Sequence, residues 1–131
     1  MLEPGLQGTV ERTVTKDMTA TALGSGDVPV LGTPAVVALV EAAACRAVQG
    51  RLGDGEISVG TRIELSHDAA VPVGTTVTAA AHLVEVDGRR LTFEVRVSEP
   101  SGDVATGRHV RVVVQRRKFL EKIGATGQPA G

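Results

Sequence analysis

At 131 residues and 13.5 kDa, the chain has the size of one domain, and 42% hydrophobic against 22% charged residues is globular rather than disordered composition. Fourteen Lys and Arg against fifteen Asp and Glu give a net charge of −1, without the basic excess that drives binding to a phosphate backbone. Trp and Tyr are missing and only Phe93 and Phe119 are aromatic, which leaves almost nothing for base-stacking platforms and requires a core of Val, Leu, Ile and Ala. Nucleic acid is therefore not an expected partner. The single cysteine, Cys45, permits neither an internal disulfide nor a cysteine-based metal cluster, and a reducing, cytoplasmic setting is expected. Met1 to Thr15 does not read as a secretory signal. The longest apolar run, Ala35 to Val40, is far shorter than the ~20 residues that cross a bilayer, so no membrane partner is expected.

In chain order, Gln7 to Val14 has weak strand character and Leu23 to Pro29 has loop chemistry. Thr33 is a plausible N-cap, and Pro34 suits the first position of a helix. The helix-forming stretch runs from Ala35 toward Arg51. Ten of the eleven residues Ala35 to Cys45 are apolar, all but Glu41, and they lie all round the helix, which predicts a helix wrapped on every side. From Arg62 to Asp68 the pattern alternates, with Ile63, Leu65 and His67 on one face. A turn at Val71–Gly74 leads to a β-favouring stretch from Thr75 to Val86. Asp87-Gly88 marks a hairpin into Arg90–Ser98, whose Leu91, Phe93, Val95 and Val97 point inward. A turn at Glu99–Asp103 precedes a last strand, Val104 to Gln115. The second half therefore reads as a four-stranded antiparallel meander. One helix followed by a long antiparallel sheet curling around it is the hot-dog arrangement, an α+β fold. Residues 1–123 form its single domain and 124–131 a flexible tail. An open edge strand and apolar flank predict a homodimer at minimum.

Three positions stand out chemically. Glu41 is a carboxylate in an apolar helix, where lost hydration must be offset by pairing or hydrogen bonding. Its bland explanation is an ion pair with Arg or Lys, or a helix face that reaches solvent; its sharper one is a base or nucleophile facing a cleft. His67 shares its parity with Ile63 and Leu65, which fits either a satisfied core histidine or a proton-transfer group. Thr33 puts a hydroxyl at a helix start, where free N–H groups favour negative charge; a plain cap is the alternative. Eight residues on one straight helix separate Thr33 from Glu41 by ~12 Å, so the two act on different parts of a ligand or meet across a subunit boundary.

Other signals are weaker. Gly60 allows close backbone approach to a ligand or is a loop glycine. Arg111, set among valines, is either the partner of a buried carboxylate or solvent-facing, and parity does not decide. Arg116-Arg117-Lys118 is a solvated face or a hold for a polyanionic tail. His82 and His109 lack metal-type neighbours, and neither zinc nor phosphate-loop signatures occur, so no metal, ATP or NAD is indicated.

Val30-Leu31-Gly32-Thr33-Pro34-Ala35, Leu39–Ala43, Ser58-Val59-Gly60-Thr61, Leu65-Ser66-His67, Pro72-Val73-Gly74 and Val86–Leu91 together resemble the fluoroacetyl-CoA thioesterase family of hot-dog proteins, over most of the chain from about Val30 to Phe119. The resemblance implies a homodimeric acyl-CoA thioester hydrolase in which CoA belongs to the substrate and no separate cofactor is needed. It implies a catalytic set of Thr33, Glu41 and His67, with Gly60 and Arg111 contacting the ligand. The characterised fluoroacetyl enzyme carries a Phe lid ahead of its Thr; here that spacing falls on Asp27, and Gly24–Gly32 contains no aromatic residue. The resemblance thus supports thioester hydrolysis more than a fluorinated acyl group. The rival reading is a non-catalytic module that binds an acyl-CoA or acyl ligand. The hydrolase reading further expects Glu41 and His67 to converge on one shared cavity.

Overall fold

A computed structural model of the protein describes residues 1–124. The proposed tail, apart from Gly124, lies outside the described residues. The elements are β1 (Gln7–Thr13), α1 (Ala20–Leu23), α2 (Thr33–Ala47), β2 (Glu56–His67), β3 (Thr76–Asp87), β4 (Arg90–Glu99), β5 (Gly102–Gln115) and α3 (Arg116–Lys122), with a 3-10 turn at Lys16–Met18. All five strands form one antiparallel sheet in the order β1-β3-β4-β5-β2. This is the expected α+β hot-dog arrangement of one long helix against a curved sheet. No helix among the described residues is long and apolar enough to cross a membrane.

The meander holds only for β3, β4 and β5. β3 and β4 are joined through Gly88, whose φ of 60° is the left-handed value this turn needs. β2 does not pair with β3, because β1 occupies that edge, with Gln7 opposite His82 and Thr13 opposite Thr76. The chain therefore passes through Val71–Gly74 as a crossover, and β2 lies beside β5 at the far edge of the sheet. Among the described residues, its twelve have a hydrogen-bonded neighbour on one side only.

The core contains Phe93, Leu31, Leu83, Leu91 and many valines and alanines. Helix α2 contributes Val36, Leu39, Val40, Ala43, Ala44 and Ala47, a stripe at helical spacing that lies mainly over β1 and β3. Its opposite face is open: Pro34, Ala38 and Cys45 are exposed, while Val37, Glu41 and Ala42 are half-buried. The expectation of a helix wrapped on all sides is thus corrected. A single curved sheet covers one side of a cylinder, and the remaining small apolar residues face outward. The outer face of the sheet is of a different character, with ion pairs such as Arg96–Asp103 at 3.8 Å and Arg108–Glu94 at 3.9 Å.

Close contact between α2 and β1 depends on Gly8. A Cβ there would overlap backbone atoms of Ala43 and Ala47, so any side chain must push the helix off the sheet. Gly8→Ala is expected to lower unfolding free energy by about 2 kcal/mol or more, read from urea denaturation; an unchanged midpoint would contradict this packing.

Candidate active site

The helix start is built from loop backbone. Leu31 N–H donates to Val71 O at 2.8 Å and Gly32 N–H to Met18 O at 2.9 Å, while Thr19 bridges Leu31 and Val30 bridges Pro72. Gly32, not Thr33, is the N-cap, and it makes no side-chain cap; Thr33 and Pro34 are the first two helical residues. Freed from capping, the Thr33 hydroxyl is hydrogen-bonded to His67 Nδ1 at 2.8 Å. The other ring nitrogen, His67 Nε2, is buried without a hydrogen-bond partner among the described residues. Thr33 and His67 line a cavity of about 330 Å³ with Asp27, Val28, Leu31 and Asp68.

The amides of α2 complete this end. Ala35 and Val36 both donate to Gly32 O, at 3.0 and 3.1 Å, and Pro34 has no N–H. The Thr33 amide has no backbone partner among the described residues, so the positive end of the helix presents one free donor beside the Thr33 hydroxyl.

Glu41 lies elsewhere. Its carboxylate Oε2 accepts from Arg111 Nη1 at 3.2 Å and sits 3.9 Å from His109 Nε2. Its side chain is 41% exposed, so of the readings left open, the ion pair and the cavity-facing position both apply: α2 turns this residue toward the uncovered side of the sheet. Glu41, Gly60, Thr61 and His109 line a second cavity, of about 190 Å³, that does not include His67. The expectation that Glu41 and His67 converge on one cavity therefore fails within a single chain. Thr33 with His67, and Glu41 with Gly60 and Arg111, are two separate groups along one helix.

Arg111 is inward and 6% exposed, which settles what parity left open. Its Nε donates to Ser58 Oγ at 2.9 Å and its Nη2 to Ser58 O at 3.0 Å, leaving Nη1 for Glu41. Gly60 is opposite Arg111 in the sheet, where β2 bulges by one residue before Arg62. A Cβ on Gly60 would overlap the Glu41 carboxylate and press on Arg111 Nη1 at 3.3 Å. The glycine thus makes room for the close approach of the Glu41 carboxylate, which a side chain here would displace; turn geometry does not call for it.

Ser58 and His109 escaped the sequence reading. His109 was weighed only as a metal ligand, although its i, i+2 spacing from Arg111 puts both on one face of a strand. It is buried at 1% exposure and stacks on Phe93 with ring centroids 6.3 Å apart. Among the described residues no group of three or more His, Cys, Asp or Glu is placed to hold a metal ion.

The family model for fluoroacetyl-CoA-specific thioesterases matches residues 14–117. The chain belongs to this family. It is 40% identical over 94 residues to a fluoroacetyl-CoA thioesterase of Streptantibioticus cattleyicolor, covering 72% of this chain and 68% of that relative. The solved fluoroacetyl-CoA thioesterase FlK superposes with a TM-score of 0.89 at 33% identity, over 95% of this chain and 96% of that one. A hot-dog-like protein from Thermanaerovibrio acidaminovorans gives a TM-score of 0.85 at 26% identity, over 92% and 90% of the two chains.

Burial lowers the pKa of His109 from its ordinary value of 6.5, opposed by the bond to Arg62 O, reinforced by the Arg111 charge and opposed by Glu41. As pH falls below 6.5 the unfolded chain takes up this proton before the folded chain does, so the group's stabilising contribution is complete above 6.5 and is lost toward its lower folded value. Urea denaturation between pH 5 and 8 should show wild type losing more stability on acidification than His109→Gln. Parallel pH curves would contradict it.

Proposed function

We propose that the protein hydrolyses small acyl-CoA thioesters to free acid and CoA, in a site that uses Thr33 and His67 at one end of α2 and Glu41 with Arg111 and Gly60 at the other. The observation that carries this reading is the unpartnered, buried His67 Nε2 beside a cavity, held in orientation by the Thr33 hydroxyl at 2.8 Å. A ring fixed at one nitrogen and unsatisfied at the other is suited to delivering a proton to a leaving thiolate. The free Thr33 amide supplies a donor for the oxyanion that develops on the thioester carbonyl.

Glu41 supplies the attack. Both of its contacts engage Oε2, and the other oxygen is left for chemistry. Either that oxygen attacks the carbonyl carbon, giving an anhydride as the C–S bond breaks, or it takes a proton from water whose oxygen attacks instead. In the first route water then hydrolyses the anhydride and restores Glu41; in both, CoA leaves as the thiol and the acyl group as the acid. Hydroxylamine trapping that leaves a hydroxamate on the Glu41 side chain in single-turnover conditions assigns the first route; unmodified Glu41 after the same treatment assigns the second.

The working unit in this reading is a homodimer in the cytoplasm. The unpaired β2 edge and the open α2 face, with Pro34, Ala38 and Cys45 exposed, are adjacent surfaces that a second copy can cover together. Within one chain, Gly60 and His67 are seven residues apart on β2, ~23 Å in extended chain. Antiparallel pairing of two β2 edges about their midpoints brings the Gly60 of one copy closer to the His67 of the other. The two groups of polar residues then face one ligand.

The acyl end of the ligand fits the Thr33–His67 cavity, whose lining includes Asp27 but no Phe, Tyr or Trp. Thiol release from acetyl, fluoroacetyl, branched and aromatic CoA esters is expected to show turnover of small acyl groups, with fluoroacetyl and acetyl esters within about tenfold of each other, and at least ~100-fold loss in Glu41→Gln. Full activity in Glu41→Gln would remove Glu41 from the chemistry. Tight acyl-CoA binding without turnover by wild type would favour the non-catalytic module instead.

A further inference from the structure

The ring of His109 touches both the β2 bulge and the guanidinium that holds Glu41, and no step above uses it. Its Nδ1 is 2.8 Å from Arg62 O, and a carbonyl only accepts, so Nδ1 carries the proton. Its Nε2 is 3.1 Å from Arg111 Nη1, and a guanidinium only donates, so Nε2 carries the lone pair. The two contacts define a neutral imidazole in one tautomer.

Arg111 has little remaining freedom. Ser58 takes Nε and Nη2, and Nη1 is divided between His109 Nε2 at 3.1 Å and Glu41 Oε2 at 3.2 Å. One hydrogen of Nη1 is thereby fixed by the histidine, and the other is aimed at the carboxylate. The opposite edge of the same ring holds the Arg62 carbonyl at the bulge, just beyond Gly60.

We infer that His109 is a positioning residue for the hydrolytic site, clamping the Gly60–Arg62 bulge with Nδ1–H and, through Nε2, directing Arg111 onto Glu41. This rests on the reading that Glu41 acts in hydrolysis. The charged side chains facing the ring are Arg111 from its own strand and Glu41 from α2. β2 presents the Arg62 carbonyl and β4 the Phe93 ring. A protonated ring would oppose a second cation at 3.1 Å and lose the lone pair that fixes Nη1. Burial, which disfavours that charge, keeps the clamp closed near neutrality.

Two substitutions separate the contacts. His109→Asn keeps an amide donor near the Nδ1 position and removes the acceptor at Nε2; His109→Gln places an amide oxygen near Nε2. Acetyl-CoA hydrolysis by His109→Asn is expected to show kcat lowered by about 10- to 100-fold with KM within about twofold, and His109→Gln to recover most of that loss. Urea midpoints of the two variants should lie close together. Long-range 1H–15N spectra of wild type at pH 7 should show His109 as the neutral Nδ1–H tautomer. An Nε2–H tautomer, equal kcat in all three proteins, or rate losses that simply follow the urea midpoints would overturn the inference. If Glu41→Gln is fully active, the underlying reading of Glu41 fails; if Glu41→Gln is inactive while His109→Asn matches wild type, only the role of His109 fails.

Discussion

The rigidity of α2 governs the rest of the structure. Hydrogen bonds along fifteen residues fix Thr33 and Glu41 at opposite stations, ~12 Å apart along the axis, and no rotamer change joins them. The helix also has only one face that a five-stranded sheet can cover. The same element that spaces the polar groups therefore leaves an apolar surface open beside them. Spacing and exposure together favour a site finished by a second copy over one enclosed within a chain.

Each polar group is fixed by a device suited to its place. At the helix start, glycine rather than threonine makes the cap, and this releases the Thr33 hydroxyl to orient His67. Near the middle of the helix, a buried arginine would be untenable without partners, and Ser58, His109 and Glu41 supply them. Gly60 gives the carboxylate room against β2. The Arg111–Glu41 pair is thus both the structural ion pair that a carboxylate on an apolar helix calls for and half of the proposed chemical site, because it borders a cavity rather than sealed core.

Local pattern revealed much of this and non-local pairing hid the remainder. Alternation over β2 and β4 and the glycine at the β3–β4 turn are properties of neighbouring residues, and the inward parity of His67 followed from them. The family motifs pointed to Thr33, Glu41, His67, Gly60 and Arg111, and the structure brings them together in two groups rather than one. The crossover of β2 was not legible, since Val71–Gly74 looks like any tight turn and the competing claim of β1 on β3 comes from more than sixty residues away. The partners of Arg111 were hidden for the same reason. Ser58 and Glu41 are distant in sequence, and a valine-rich strand buried on both faces gives no parity signal. The open face of α2 was missed because Ala and Val read as core wherever they occur, although surfaces awaiting a partner use the same residues.

A heterodimer built from one Glu41→Ala copy and one His67→Ala copy, purified through two different tags, tests the shared site most directly. If Glu41 of one copy works with His67 of the other, one of the two sites is intact and thiol release should recover to about half the wild-type rate. Release no faster than from the two single-variant proteins would contradict a site assembled between copies.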